Sequence, residues 1–326
     1  MTLSRTLGRN GPAVSTLGLG CMGMSHMYGA SDEAESVGTI HAALDAGINL
    51  LDTGDFYGIG HNERLIGRAI ADRRDQALLS VKFGALRAPG GGWGGVDGRP
   101  AAVKNFCAYS LDRLGVDHID VYRLARLDPQ VPIEDTVGAV ADLVKAGYVR
   151  HIGLSEVNAE TLRRAAAVYP ISDVQIEYSL ISRRPETTLF PALAELGVGA
   201  TVYGVLSRGL LSGSKPGQRD YRAYLPRFQP ENMAQNQRLV DALAELAAER
   251  GVTPSQLAIA WVLNKRADVV PLIGARTRAQ LADALGATAI TLSPDELASL
   301  EAAVPAEAVA GDRYDPHQMR ILDSER

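Results

Sequence analysis

The 326-residue sequence predicts an α/β chain folded as one closed (β/α)8 TIM barrel, and three observations predict it. From about Ala30 onward, short apolar runs alternate with amphipathic helical segments, the rhythm of parallel strands joined by crossover helices. Eight apolar runs occur, at residues 16–21, 48–52, 77–82, 119–124, 149–154, 173–176, 199–203 and 269–273, with a helix-like segment after nearly every one. No long linker or composition break divides the chain. Residues 1–326 therefore read as a single domain whose eight units suit a closed barrel better than an open doubly wound sheet.

Before the first unit, residues 3–7 and 13–16 flank Gly8-Arg9-Asn10-Gly11-Pro12 and predict a β-hairpin across the barrel floor. Next, Gly18-Leu19-Gly20-Cys21-Met22-Gly23 spells G-x-G-x-x-G. The Rossmann fingerprint needs a helix starting within its glycines, and residues 24–30 intervene here, so the segment reads as a strand-end turn. Two stretches break the rhythm: 88–98, glycine-rich around Trp93, and 212–231, rich in Arg, Tyr, Pro and Gln. Both read as long irregular loops. The second follows the C-terminal end of a strand, on the face where barrels carry their active sites.

Composition narrows the function. With 46% apolar residues the chain can bury a large core, and a net charge of −5 argues against a nucleic-acid partner. Cys21 and Cys107 are too few for a disulfide framework and belong to no metal-spaced cluster, so no metal is expected. No apolar run reaches the length of a signal core or membrane span, so the expected setting is the cytoplasm and the expected partner a small molecule.

Two segments carry the chemistry. Leu50-Leu51-Asp52-Thr53-Gly54-Asp55-Phe56-Tyr57-Gly58 and Val81-Lys82-Phe83-Gly84 each run off the end of a strand, so Asp52, Tyr57 and Lys82 are expected to converge. An ammonium beside a phenol favours the phenolate. It is expected to draw the Tyr57 pKa down from about 10, with Asp52 orienting the lysine. From spacing alone, a structural Lys82–Asp52 ion pair beside a rim tyrosine fits equally well. Arg276 and Arg278, at a helix start after Ile273-Gly274, read either as a phosphate site or as a solvated basic helix start.

Asp52-Thr53-x-x-x-Tyr57-Gly58, Lys82 and Tyr203-Gly204-Val205-Leu206-Ser207-Arg208-Gly209-Leu210-Leu211-Ser212-Gly213 together resemble the aldo-keto reductase family. The resemblance extends through Gly20-Cys21-Met22-Gly23-Met24, Asn62-Glu63, Ser110-Leu111-x-Arg113-Leu114-Gly115, Gly153-Leu154-Ser155, Gln175-Ile176-Glu177-Tyr178 and Gly274-Ala275-Arg276-Thr277. It implies reversible hydride transfer between NADP(H) and a small aldehyde or ketone, with Asp52, Tyr57 and Lys82 catalytic and Tyr57 the proton donor. It further implies that Ser155 and Gln175 hold the nicotinamide carboxamide and that Tyr203 stacks on the ring. Leu206, Ser207, Arg208 and Gly209 would line the pyrophosphate, and Arg276 the 2′-phosphate. Met22, Asp52, Gly204, Ile273, Gly274, Arg278, Gln280 and Asp283 complete the implied cofactor contacts.

The sequence departs from the family pattern at three positions. Glu156 stands where an Asn is usual, Ala284 replaces an adenine-contacting Asn, and Ala125 replaces the fourth catalytic residue, a histidine. None of the six histidines is an obvious replacement: His118 and His151 begin strands, His41 lies in a helix and His317 in the tail, while His26 and His61 are expected in loops on the active-site face. Arg123 shares a strand face with Ala125, one layer deeper. It is expected either to rise toward the carbonyl site as an electrophilic donor or to pair with a buried acid. The alternative function is a nucleotide-binding sensor with little catalysis, as in potassium-channel beta subunits; the joint presence of Asp52, Tyr57 and Lys82 speaks against it.

Overall fold

The computed structural model describes residues 4–90, 92–217 and 220–326. Leu3 of the expected hairpin, Gly91 of the glycine-rich stretch and residues 218–219 of the long loop lie outside the described residues. An antiparallel hairpin of β1 (Ser4–Thr6) and β2 (Ala13–Ser15) opens the fold. The barrel begins with β3 (Gly18–Gly20), β4 (Leu50–Gly54) and β5 (Leu78–Phe83). After a second hairpin, β6 (Ala85–Arg87) with β7 (Trp93–Val96), it continues with β8 (Ile119–Leu124), β9 (Val149–Ser155), β10 (Ile171–Glu177), β11 (Gly199–Tyr203) and β12 (Val269–Ile273). The eight barrel strands neighbour one another in chain order, and β12 closes onto β3.

Helices α1 (Glu33–Asp45), α2 (His61–Ile70), α3 (Pro100–Leu114), α4 (Ile133–Lys145) and α5 (Ala159–Val168) make the first five crossovers. The short α6 (Pro185–Thr188) with α7 (Phe190–Leu196), and then α8 (Pro230–Glu249) with α9 (Pro254–Lys265), make the next two. After β12 come α10 (Arg278–Gly286), α11 (Pro294–Ala303) and α12 (Pro316–Ile321). Among the described residues no helix is long and apolar enough to cross a membrane.

Strand alternation splits the buried residues into two sets. Outward-facing Leu51, Leu79, Val81, Tyr122, Ile152 and Val174 join the inner faces of the helices in one apolar layer. Inward-facing Leu50, Val270 and Leu272 pack against Leu7 and Val14 of the first hairpin, which makes an apolar floor. Gly8 is what lets the hairpin seat there: at φ +64°, a Cβ would lie 2.6 Å from the Gly199 nitrogen.

One loop expectation needs correction and the other refinement. The glycine-rich stretch is a hairpin, not an irregular loop: its glycines tolerate the turn and the register shift between Leu86 and Arg87, with Gly95 at φ +102°. The 212–231 segment is a loop as expected over 213–217, and then carries two short 3-10 turns, Tyr221–Tyr224 and Pro226–Phe228, before α8 begins. His61 is likewise no loop residue. It opens α2, with its ring nitrogens held by Ser25 Oγ (2.9 Å) and Glu33 (2.7 Å).

Candidate active site

Asp52, two residues beyond the floor residue Leu50 on the same face of β4, points into the barrel and collects three donors. Lys82 Nζ forms a buried ion pair with Oδ2, while Gln175 Nε2 (2.8 Å) and Ser80 Oγ (3.0 Å) donate to Oδ1. Tyr57 is carried by the turn that follows β4. Its N–H bonds the Gly54 carbonyl (3.0 Å), and the chain then runs through three left-handed residues, Gly58, Ile59 and Gly60, into α2. Asn62 anchors this turn: it accepts from Thr53 Oγ1 (2.6 Å) and donates to the Cys21 carbonyl (2.9 Å) and Ser25 Oγ (2.8 Å). Lys82 Nζ thereby lies 5.1 Å from the Tyr57 ring centroid. Asp52, Tyr57 and Lys82 do meet at the C-terminal face.

The electrostatics reverse one expectation. The Tyr57 pKa is not drawn down; burial, reinforced by Asp52, holds it well above the ordinary value. Burial also lowers the Lys82 pKa, against the pull of Asp52. Desolvation is the largest influence on the resting phenol and outweighs the cations nearby. The consequence suits an acid more than a base: Tyr57 stays a phenol and keeps its proton.

Arg123 is also corrected. Its guanidinium does not rise toward the rim but binds Asp173 (2.9 and 3.1 Å), the Leu154 carbonyl (3.0 Å) and Ser80 Oγ (3.2 Å) inside the barrel. Both charges are fully buried, and Thr201 Oγ1 completes Asp173 at 2.7 Å. Gly153 is the reason the guanidinium fits: a Cβ there would meet Nη1 at 2.8 Å. The buried acid on the neighbouring strand face decides where the cation goes.

Above this tier, the C-terminal segment lies across the rim, a placement the sequence did not indicate. Glu156, at φ +56°, is fully buried and grips Arg313. Burial alone would raise its pKa, but Arg313, the Arg126 charge and the Ser324 hydroxyl hold it at about 2. Tyr203 donates to Glu156 Oε1 (2.8 Å) and meets the Tyr314 hydroxyl at 3.0 Å. Arg208 bonds Glu177 (3.0 Å) and lies 4.5 Å over the Tyr314 ring. Arg313, Tyr314, Glu177 and Arg126 were not singled out individually as site residues. Only Arg126, next to Ala125 at a strand end, carried a local signal.

The residues assigned to a nicotinamide cofactor form a partial arc. Ser155 Oγ is buried without a hydrogen-bond partner, beside Gln175 in register on β10, so a carboxamide placed there would satisfy it. Met22 stands just past β3, and Ile273 ends β12 with Gly274 open beyond it. Gly204, Leu206, Ser207, Arg208 and Gly209 form the turn after β11, where Ser207 (φ 46°) and Arg208 (φ 57°) are left-handed. Arg276 donates to the Tyr28 carbonyl (2.9 Å), and its N–H bonds Gln280 (2.8 Å). Arg278 pairs with Glu35 (2.8 Å) at the start of α10, and Asp283 accepts from Thr253 (2.9 Å). The donor set fits the group, with Ser155 as its unfilled partner.

The sequence model of the Aldo/keto reductase family matches residues 16–305. Among solved structures, a glycerol dehydrogenase from Gluconobacter oxydans superimposes with a TM-score of 0.82 at 29% identity, covering 93% of this chain and 96% of that one. An aldo-keto reductase from Bacillus halodurans in its holo form gives 0.77 at 27%, covering 98% and 100%. A thermostable aldo-keto reductase in complex with the inhibitor epalrestat gives 0.74 at 28%, covering 92% and 99%.

Proposed function

Because this chain belongs to the aldo/keto reductase family, we propose that it reduces small aldehydes or ketones with NADPH, Tyr57 giving the proton. One observation carries the reading: a buried tyrosine held as a phenol, with the cation of the Lys82–Asp52 pair 5.1 Å from its ring. Ser155 and Gln175 would hold the carboxamide, Tyr203 the ring face, and the turn from Leu206 to Gly209 the pyrophosphate. Arg276 and Arg278, at the start of α10, favour a 2′-phosphate and hence NADP(H) over NAD(H).

When bound, the cofactor supplies the hydride. Tyr57 Oη delivers its proton to the carbonyl oxygen as that oxygen gains charge, and the phenolate left behind is stabilised by Lys82. Asp52 keeps the lysine oriented, with Gln175 and Ser80 fixing the carboxylate. We place this activity in the cytoplasm, where the buried thiols of Cys21 and Cys107 stay reduced.

The test is NADPH oxidation with a panel of reactive aldehydes and diketones, with Tyr57→Phe alongside. Turnover by the parent that falls at least about a hundredfold in Tyr57→Phe is expected. Tight NADPH binding with no turnover by either protein would replace this reading by that of a nucleotide sensor.

A further inference from the structure

Resting on the carbonyl-reduction reading above, we propose that Arg126 is the donor that binds the substrate's carbonyl oxygen, in the place where the family pattern has an imidazole. Ala125, just past the end of β8, is buried, with its N–H held by the Phe83 carbonyl (2.9 Å) beside the strand that carries Lys82. It offers no donor of its own. The next side chain turns back over it: Arg126 Nη1 bonds the Ala125 carbonyl at 2.7 Å, and Nη2 reaches the Tyr314 hydroxyl at 3.4 Å, itself 3.0 Å from the Tyr203 hydroxyl.

What separates Arg126 from its neighbours is its counter-charge. Arg208 and Arg227 are paired with Glu177, Arg313 with Glu156, and Arg123 with Asp173. Among the described residues Arg126 has no carboxylate within ion-pair distance, and hydroxyl and carbonyl oxygens use only part of its five-donor fork. A shielded guanidinium of this kind is completed by a negative oxygen from outside the protein. The Arg126 charge also acts on both Tyr57 and Lys82, in each case lowering the pKa.

The step balances with these groups. The C=O π bond breaks as hydride adds to carbon. The oxygen gains the electron pair against the guanidinium and takes the proton of Tyr57, which ends as phenolate beside Lys82. Because a guanidinium does not titrate in the working range, this donor gives the rate no ionisation near about 6.5, whereas an imidazole would.

The experiment compares the parent, Arg126→Met, Arg126→Lys, and Arg126→Met combined with Ala125→His. For each, kcat and KM are measured across pH, NADPH affinity by fluorescence, and the affinity of acetate ion, a mimic of the charged oxygen, for the complex with oxidised cofactor. Arg126→Met is expected to lose about a hundredfold or more in kcat with NADPH affinity kept. Adding Ala125→His is expected to restore part of the rate and to introduce an ionisation near about 6.5 that the parent lacks. Arg126→Lys is expected to fall between the two, and serves alone if the methionine variant does not fold. Parental kcat in both single variants overturns the proposal. If the parent reduces no carbonyl, the functional reading fails and acetate decides the donor separately: at least about tenfold weaker binding in Arg126→Met supports it, and equal binding overturns it.

Discussion

The floor of the barrel and the tier just above it are built by opposite means. Leu7, Val14, Leu50, Val270 and Leu272 fill the floor with apolar surface, which is non-directional and tolerant of exchange. Above it stand Asp52, two residues beyond Leu50, and Ser80, Lys82, Arg123, Asp173, Gln175 and Thr201 from neighbouring strands, each holding another by a hydrogen bond. The floor is stable because water is excluded from it; the tier is stable only while every member is present. Placing such a tier beneath the rim fixes Asp52, and through it Lys82, without help from substrate.

Removing one partner should break the tier hardest. Asp173→Ala leaves the fully buried Arg123 cation uncompensated and is expected to lower stability by about 3–5 kcal/mol in urea unfolding. Replacing both partners with apolar groups, Arg123→Met with Asp173→Leu, is expected to recover most of that loss. If the double variant is no better than Asp173→Ala, mutual satisfaction does not hold the tier.

In the floor, Leu50→Ala is expected to cost about 2–4 kcal/mol, because the hairpin is pinned by Arg5 to the Leu263 carbonyl (3.1 Å) and relaxes only partly into the cavity. A valine at the same position should cost less. Loss of Leu50 is expected to leave NADPH affinity unchanged, since the floor cluster contains none of the rim residues; a parallel loss of affinity would mean that the two regions are coupled.

The same division explains what the sequence disclosed. The eight strands and the first hairpin were legible because their apolar residues recur with a local period, and Asp52, Tyr57 and Lys82 were legible because each lies at or just past a strand end. Arg123 was not, since its direction depends on Asp173, fifty residues away, and on the absence of a Cβ at Gly153. The hairpin around Trp93 was hidden by glycines that read as irregular but serve its turn. Arg313 and Tyr314 carry no local mark at all: their role comes from a tail that returns to Glu156, where the Ser324 N–H meets the Glu156 carbonyl at 3.1 Å.

A third region sharpens the comparison, because two of its buried carboxylate oxygens lack partners. Asp55 Oδ1 and Glu63 Oε1 lie within the fold with no hydrogen-bond partner, although Arg113 holds the other Glu63 oxygen at 3.0 Å. Burial, then the neighbouring Glu63 charge, pushes the Asp55 pKa up to about 7. Its folded-state pKa thus exceeds the unfolded value, so between about pH 4 and 7 the folded state binds the extra proton. Stability from this group is fully present below that window and is lost as pH rises through it, at up to about 1.4 kcal/mol per pH unit. Asp55→Asn removes the titration. The parent's stability relative to this variant is therefore expected to fall from pH 5 to about 7 and to level off above it, read from urea midpoints at fixed salt. A difference that rises with pH would show instead a carboxylate stabilised by its surroundings.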